Sequence, residues 1–191
     1  APADYLKLFR NLYQYADYFT INVACDPGQK AASYQTRENI TKILEPLFEF
    51  RRGQNQYRPI LLKVSPDLSD ETIDLMTDIM LDTPLDGMVA VNATVSREGV
   101  DRLEATRIGA GVVGEQPLTQ RALEVVRRSH TRSQGTYPII GVGGLMTPDD
   151  VRAMLDAGAA LVQIYTGYIY NGPGYVREIC RALLEKKAAE N

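Results

Sequence analysis

Lys63 stands near the end of an otherwise apolar run, Pro59-Ile-Leu-Leu-Lys-Val. A cation at that point of a buried strand needs an anionic or electron-rich partner, or must snorkel to the edge of the sheet. Asn22 lies near the end of a β-rich run, Tyr18-Phe-Thr-Ile-Asn-Val-Ala, and Asn92 ends another, Gly87-Met-Val-Ala-Val-Asn. Each amide offers a donor beside an acceptor, which suits a planar ligand carrying imide groups, although asparagine is also an ordinary turn former. Nearer the C-terminus, Pro138-Ile-Ile-Gly-Val-Gly-Gly and Ala160-Leu-Val-Gln-Ile-Tyr-Thr-Gly are separated by about a helix's length. Glycines at the ends of paired parallel strands let a phosphate approach the backbone, so Gly143, Gly144, Tyr165 and Thr166 form a candidate anion site. Cys25 follows Asn22 closely and precedes the turn Asp26-Pro-Gly. Its thiol is either a base within reach of that ligand or a small buried side chain.

For these residues to meet, strands must deliver them to one rim. Asp4 to Tyr15 reads as an amphipathic helix and Thr36 to Phe50 as a second, opened by Thr36. Ser69 caps a third, beyond the strand that carries Lys63, and the strand ending at Asn92 follows it. A long connection with glycines at 109, 111 and 114 leads through Pro117 to a helix ending near Arg128. The glycine-rich strand, a helix from Pro148 to Ala157, the strand Ala160 to Tyr165 and a terminal helix from Tyr175 to Lys187 complete the chain. This is a β-loop-α pattern repeated without hairpin signals, which predicts a parallel sheet.

Parallel sheets of this kind are open and doubly wound, or closed as a (β/α)8 barrel. The Gly-x-Gly-x-x-Gly turn of a dinucleotide fold is absent. Polar residues at the ends of successive strands, Asn22, Lys63, Asn92, Gly143 and Thr166, instead match the rim on which barrel enzymes carry their chemistry. The expectation is therefore an α/β chain, a (β/α)8 TIM barrel of which about the last five β/α units are present, with residues 1–191 forming the C-terminal part of one domain.

Composition narrows the partners. A net charge of -3 without a basic stripe argues against nucleic acid held through its phosphates. Cys25 and Cys180 are the only cysteines and lie far apart, which suggests neither a disulfide framework nor a metal site. The first residues lack the charged start and apolar stretch of a signal peptide, and no run approaches the roughly 20 apolar residues that span a bilayer, so the chain is expected to be soluble.

Four motifs together resemble the C-terminal part of a class 2, quinone-reducing dihydroorotate dehydrogenase. They are Tyr18-Phe-Thr-Ile-Asn-Val, Ile60-Leu-Leu-Lys-Val-Ser-Pro-Asp-Leu-Ser, Asp86-Gly-Met-Val-Ala-Val-Asn, and the pair Ile139-Ile-Gly-Val-Gly-Gly with Leu161-Val-Gln-Ile-Tyr-Thr-Gly. The resemblance runs over essentially the whole chain. It implies an FMN-binding barrel that oxidises dihydroorotate to orotate in pyrimidine biosynthesis and passes electrons to a quinone. In class 2 a small helical region precedes the barrel and associates with the membrane, on the cytoplasmic side of the inner membrane. That region and the earlier strands are expected to lie outside this sequence.

Residue by residue, the resemblance places Lys63 against the flavin N1/O2 edge, where positive charge favours the reduced, anionic ring. Asn22, Val91, Gly114 and Ile164 join Gly143, Gly144, Tyr165 and Thr166 as cofactor contacts. Asn22, Asn92 and Ala93 become substrate contacts, and Cys25 takes the position of the catalytic base. Class 2 members generally carry serine there and class 1 members cysteine. After the base, the family's Pro-Asn-x-x-Gly is replaced by Asp26-Pro27-Gly28, its Gly-Gly-Leu-Ser-Gly by Gly111-Val-Val-Gly-Glu, and its Asn-Thr-Thr by Asn92-Ala93-Thr94. Two other readings share the phosphate grip or the fold: a flavin-free isomerase, aldolase or synthase, and a non-catalytic homologue that has lost the substrate loop.

Overall fold

In strand Ile60–Val64 four of five residues are buried, the exception being Lys63, and a strand so apolar on both faces must be covered on both. The computed structural model describes residues 2–24, 35–97 and 118–189. In chain order its elements are α1 (Pro2–Leu12), β1 (Phe19–Asn22), α2 (Arg37–Arg52), β2 (Ile60–Val64), α3 (Asp70–Asp82), β3 (Gly87–Ala90), α4 (Thr119–Arg132), β4 (Ile139–Val142), α5 (Pro148–Asp156), β5 (Leu161–Gln163), α6 (Thr166–Asn171) and α7 (Tyr175–Ala189). All four pairings are parallel and the strand order is β1-β2-β3-β4-β5. A doubly wound sheet reverses direction at a switch point, whereas strands laid down in sequence form a barrel wall. The chain is thus a partial (β/α)8 barrel.

Local chemistry explains the helix starts. The side chains of Thr36 and Ser69 accept hydrogen bonds from the amides of Asn39 and Thr72, satisfying donors that the first turns of α2 and α3 cannot. Thr147 and Asp150 cap α5 reciprocally, with Pro148 in its first turn.

The outer face of the sheet carries Ile60, Leu62, Val64, Met88 and Ile139, which pack with Ile40, Leu44, Leu47, Ile73, Met76, Val126 and Met154 from the helices. The inner face carries a smaller cluster of Leu61, Val89 and Ile140, with Val142 against it. On the same face Leu161 of β5 is 61% exposed.

Polar bonds fix the helices along the wall. Between α3 and α4, Arg121 and Arg128 pair with Asp70, Arg128 also with Asp74, and Arg132 with Asp74 and Asp78. Hydrogen bonds from Arg128 and Arg132 hold the carboxyls of Asp74 and Asp78 below the usual carboxylate range. Beneath this ladder the Thr77 hydroxyl donates to Ile73 O at 3.0 Å and lies 3.2 Å from the Ser129 hydroxyl, both side chains being buried. At the opposite end of the barrel from the rim, buried Arg51 donates to Asp86 at 2.5 Å and to Pro84 O at 2.6 Å, while Asp86 accepts from Ile60 N at 2.7 Å and from the Tyr57 hydroxyl.

Several boundaries differ from the sequence reading. Helix α4 continues to Arg132, and α1 stops at Leu12. Strand β5 ends at Gln163, because Thr166 already opens α6, a short helix that the Tyr-Thr-Gly signal concealed. His130 is half-buried: Gly158, at φ +109°, approaches so closely that a Cβ there would lie 2.3 Å from the imidazole Cγ. Cys180, on α7, is exposed.

Arg51→Met should lower the unfolding free energy by about 3 kcal/mol, since it removes the cation paired with a largely buried carboxylate. Arg132→Met at the exposed end of the ladder should cost less than about 1 kcal/mol. Urea denaturation of the two variants tests the contrast.

Candidate functional site

Side chains at alternate positions of a strand share a face, and the registers show which of them stand abreast. Asn22 is opposite Lys63, Lys63 opposite Val89, Val89 opposite Ile140, and Ile140 opposite Leu161, so one row crosses the inner face of the sheet. One step toward the rim, Val142 is opposite Gln163. The ladder runs on past the strand ends: the Val91 amide bonds Val142 O and the Asn92 amide bonds Val64 O, each at 2.9 Å. These bonds carry Val91 and Asn92 onto the rim between β2 and β4.

There a cavity of about 510 Å3 opens. Lys63, Val91, Asn92 and Ala93 line one part of it, and Gly143, Gly144, Ile164, Tyr165 and Thr166 another. The structure therefore brings nine of the expected residues around one space. Asn22 flanks it through its pairing with Lys63 and is not part of the lining, while Cys25 and Gly114 lie outside the described residues. Leu118, Val142, Leu145, Gln163 and Gly167 complete the lining. Of these Gln163 was within reach of the sequence, since the two-residue period of Leu161-Val-Gln puts its amide on the face that carries Leu161.

The glycines earn their places by contact. Gly144, at φ +65°, lies so near the start of α4 that a Cβ would stand 2.0 Å from Thr119 Oγ1 and 2.8 Å from Thr119 N. The Thr119 hydroxyl donates to Gly144 O at 2.9 Å, closing the turn. Gly143 has φ +126°, again a backbone that favours glycine. A Cβ on Gly167 would lie 2.1 Å from Leu145 O. From the far side, Asn171 Nδ2 donates to Met146 O and Gly167 O, and the hydroxyl of fully buried Tyr175 donates to Leu145 O at 3.3 Å. Burial, with smaller contributions from Asp150 and Glu178, pushes the Tyr175 phenol up to about 12.

The loops beyond β2 and β3 hold one another. Asp67 accepts from the Thr94 hydroxyl and from Val95 N at 3.0 Å, and Arg121 of α4 donates to Pro66 O and Leu68 O. The amides of Asn22 and Asn92 are partly engaged in the same work. Asn22 Oδ1 accepts from Ala24 N at 3.1 Å, and Asn92 Nδ2 donates to Ala24 O at 2.8 Å. Each thus spends at least one polar atom on backbone.

A space of this volume takes a cofactor-sized molecule. A cation on one strand and close-packed glycine backbone two strands away fit an elongated ligand with an electron-rich ring at one end and a phosphate at the other. Among the described residues no group of three or more His, Cys, Asp or Glu could hold a metal ion, and no helix is long and apolar enough to cross a membrane.

Comparison with known proteins agrees with this geometry. A family model described as dihydroorotate dehydrogenase matches residues 2–186. A dihydroorotate dehydrogenase (quinone) of Thermosynechococcus vestitus is 44% identical over 190 residues, an alignment covering 96% of this chain and 51% of the relative. Its counterpart in Christiangramia forsetii is 39% identical, with 97% of this chain and 54% of that protein covered. The chain thus spans about half the length of the curated relatives it matches. Among solved structures, Eimeria tenella DHODH in complex with ferulenol superposes with a TM-score of 0.89 at 25% identity, covering 99% of this chain and 55% of that one. The ligand-free form gives 0.86, covering 94% and 54%.

Gly144→Ala should destabilise the protein by about 1–3 kcal/mol. Thr119→Ala in the same molecule should not restore it, because the main-chain nitrogen 2.8 Å from the added carbon remains. Denaturation of the single and double variants would show this. Tyr175 sets an alkaline limit: its folded value near 12 lies above the unfolded value of about 10, so its contribution is complete below pH 10. That contribution falls as pH rises toward 12, by up to roughly 2–3 kcal/mol. A pH series of unfolding free energies should decline less steeply over that interval in Tyr175→Phe.

Proposed function

The chain belongs to the dihydroorotate dehydrogenase family, and on that premise we propose that it forms the FMN- and substrate-bearing part of a barrel that oxidises dihydroorotate to orotate and delivers the electrons to a quinone. The observation that carries this reading is the single cavity that unites Lys63 and Asn92 with Gly143, Gly144, Tyr165 and Thr166. A sugar-phosphate site needs the second group alone, whereas a flavin mononucleotide needs both. A bound flavin would supply the acceptor for the hydride lost from C6 of dihydroorotate and the two-electron link to the quinone.

The residues of this chain do the rest. Gly143 and Gly144 bring bare backbone to the phosphate, and Tyr165 and Thr166 close over it from the start of α6. Val91 and Ile164, which line the cavity, would contact the cofactor together with Gly114. Lys63 supplies positive charge to the ring, favouring its reduced form. Asn22, Asn92 and Ala93 bind the pyrimidine, with amide donors and acceptors matched to its imide groups. Cys25, as thiolate, removes the C5 proton, so that the C5–C6 double bond of orotate forms as the hydride leaves C6. A quinone dissolved in lipid is reached at a membrane surface, which in this reading is the cytoplasmic face of the inner membrane. Residues 1–191 then form the C-terminal part of one barrel domain.

The full-length protein should show flavin absorbance and reduce a soluble quinone in the presence of dihydroorotate. Lys63→Ala should lose most of the flavin or of the activity. Cys25→Ala should keep the flavin and slow its reduction by about 10²–10⁴-fold, the usual contribution of a positioned base. Flavin retention with unchanged turnover in Lys63→Ala would overturn the assignment, and a colourless full-length protein would favour a flavin-free phosphate enzyme.

A further inference from the structure

We propose that Tyr5, on α1, is a positioning residue for the rim amides Asn22 and Asn92, acting through the backbone of residues 22–24. The inference rests on the reading above, in which those amides bind the substrate.

Tyr5 lies on the amphipathic face of α1, half-buried against the core, and its hydroxyl donates to Asn22 O at 2.8 Å. That carbonyl belongs to the last residue of β1. Holding it fixes the plane of the Asn22–Val23 peptide, and Val23, only 4% exposed, anchors the same segment in the core. The Ala24 amide lies in the next peptide unit, joined to that plane through buried Val23, so with both held its direction is restricted. Ala24 N donates to Asn22 Oδ1, so the side-chain amide of Asn22 takes its direction from the backbone two residues on. Ala24 O in turn accepts from Asn92 Nδ2, which ties the end of β3 to the end of β1. The phenol thus stands first in a chain of bonds that ends on both asparagines. Their amide planes can be kept in mutual register before any ligand arrives, the condition under which binding groups work best.

Tyr13 supplies a matched comparison. It follows α1, is 6% exposed, and its hydroxyl donates to Gln56 O at 2.7 Å, far from the rim. Tyr5→Phe and Tyr13→Phe each remove one donor and no carbon. If Tyr5 positions the rim, Tyr5→Phe should raise KM for dihydroorotate by about 3- to 10-fold, the loss expected of one hydrogen bond, with little change in kcat and unchanged flavin content. Exchange of the Ala24 amide with deuterated water, followed in the full-length protein, should accelerate by a similar factor. Tyr13→Phe should alter neither, though it too should lower the melting temperature. Unchanged Ala24 exchange and KM in Tyr5→Phe would overturn the proposal. So would equal effects from Tyr13→Phe, since the phenol would then serve the fold alone. If the unsubstituted full-length protein fails to oxidise dihydroorotate, the assigned reaction is wrong, while Ala24 exchange still decides whether Tyr5 governs the 22–24 segment.

Discussion

The direction in which each strand side chain at the cavity points is set by the two-residue period of parallel strands paired in sequential order. Because neighbouring strands keep register, the inner-face row from Asn22 through Lys63, Val89 and Ile140 to Leu161 is fixed as a unit. A slip of one residue in β2 would turn Lys63 into the packed outer layer and Leu62 onto the inner face. The bonds from Val91 to Val142 and from Asn92 to Val64 carry that register past the last strand residues, so the rim inherits the precision of the sheet.

The glycines show that binding and packing are not separate roles at this rim. Gly144 is needed where the turn after β4 meets the start of α4, and Gly167 where α6 meets the carbonyl of Leu145. Both also line the cavity. Wherever helices press that closely on a turn, side chains are absent on the ligand side as well. Bare backbone on the cavity side is then a by-product of tight helix-on-strand packing.

Much of this was legible in the sequence because it depends on local patterns. Apolar runs marked β2 and β3, Thr36 and Ser69 sat at helix starts, and a lysine in an apolar strand announced itself. What escaped depends on contacts between distant residues. Nothing near Tyr5 reveals that its hydroxyl reaches a carbonyl 17 residues on, or that Arg121 grips a loop 53 to 55 residues before it. Asp67 lay inside a recognised motif, yet its link to Thr94 and Val95 needed coordinates. The sequence put Asn22 and Asn92 at strand ends, but their bonds to Ala24 follow only from how the two strand ends converge.

The ion-pair ladder between α3 and α4 behaves like a zip fastener whose teeth are all alike. Its acids recur every four residues, at Asp70, Asp74, Asp78 and Asp82. Sliding α3 by one turn would hand Arg128 to Asp78 and Arg132 to Asp82 with little loss of charge pairing. Charge therefore cannot tell the helices where to stop. That task falls to teeth of a different shape, the buried Thr77–Ser129 contact and the hold of Arg121 on the carbonyls of Pro66 and Leu68. The ladder thus brings the two helices together, while the hydroxyl pair and the grip of Arg121 on the loop before α3 favour one alignment.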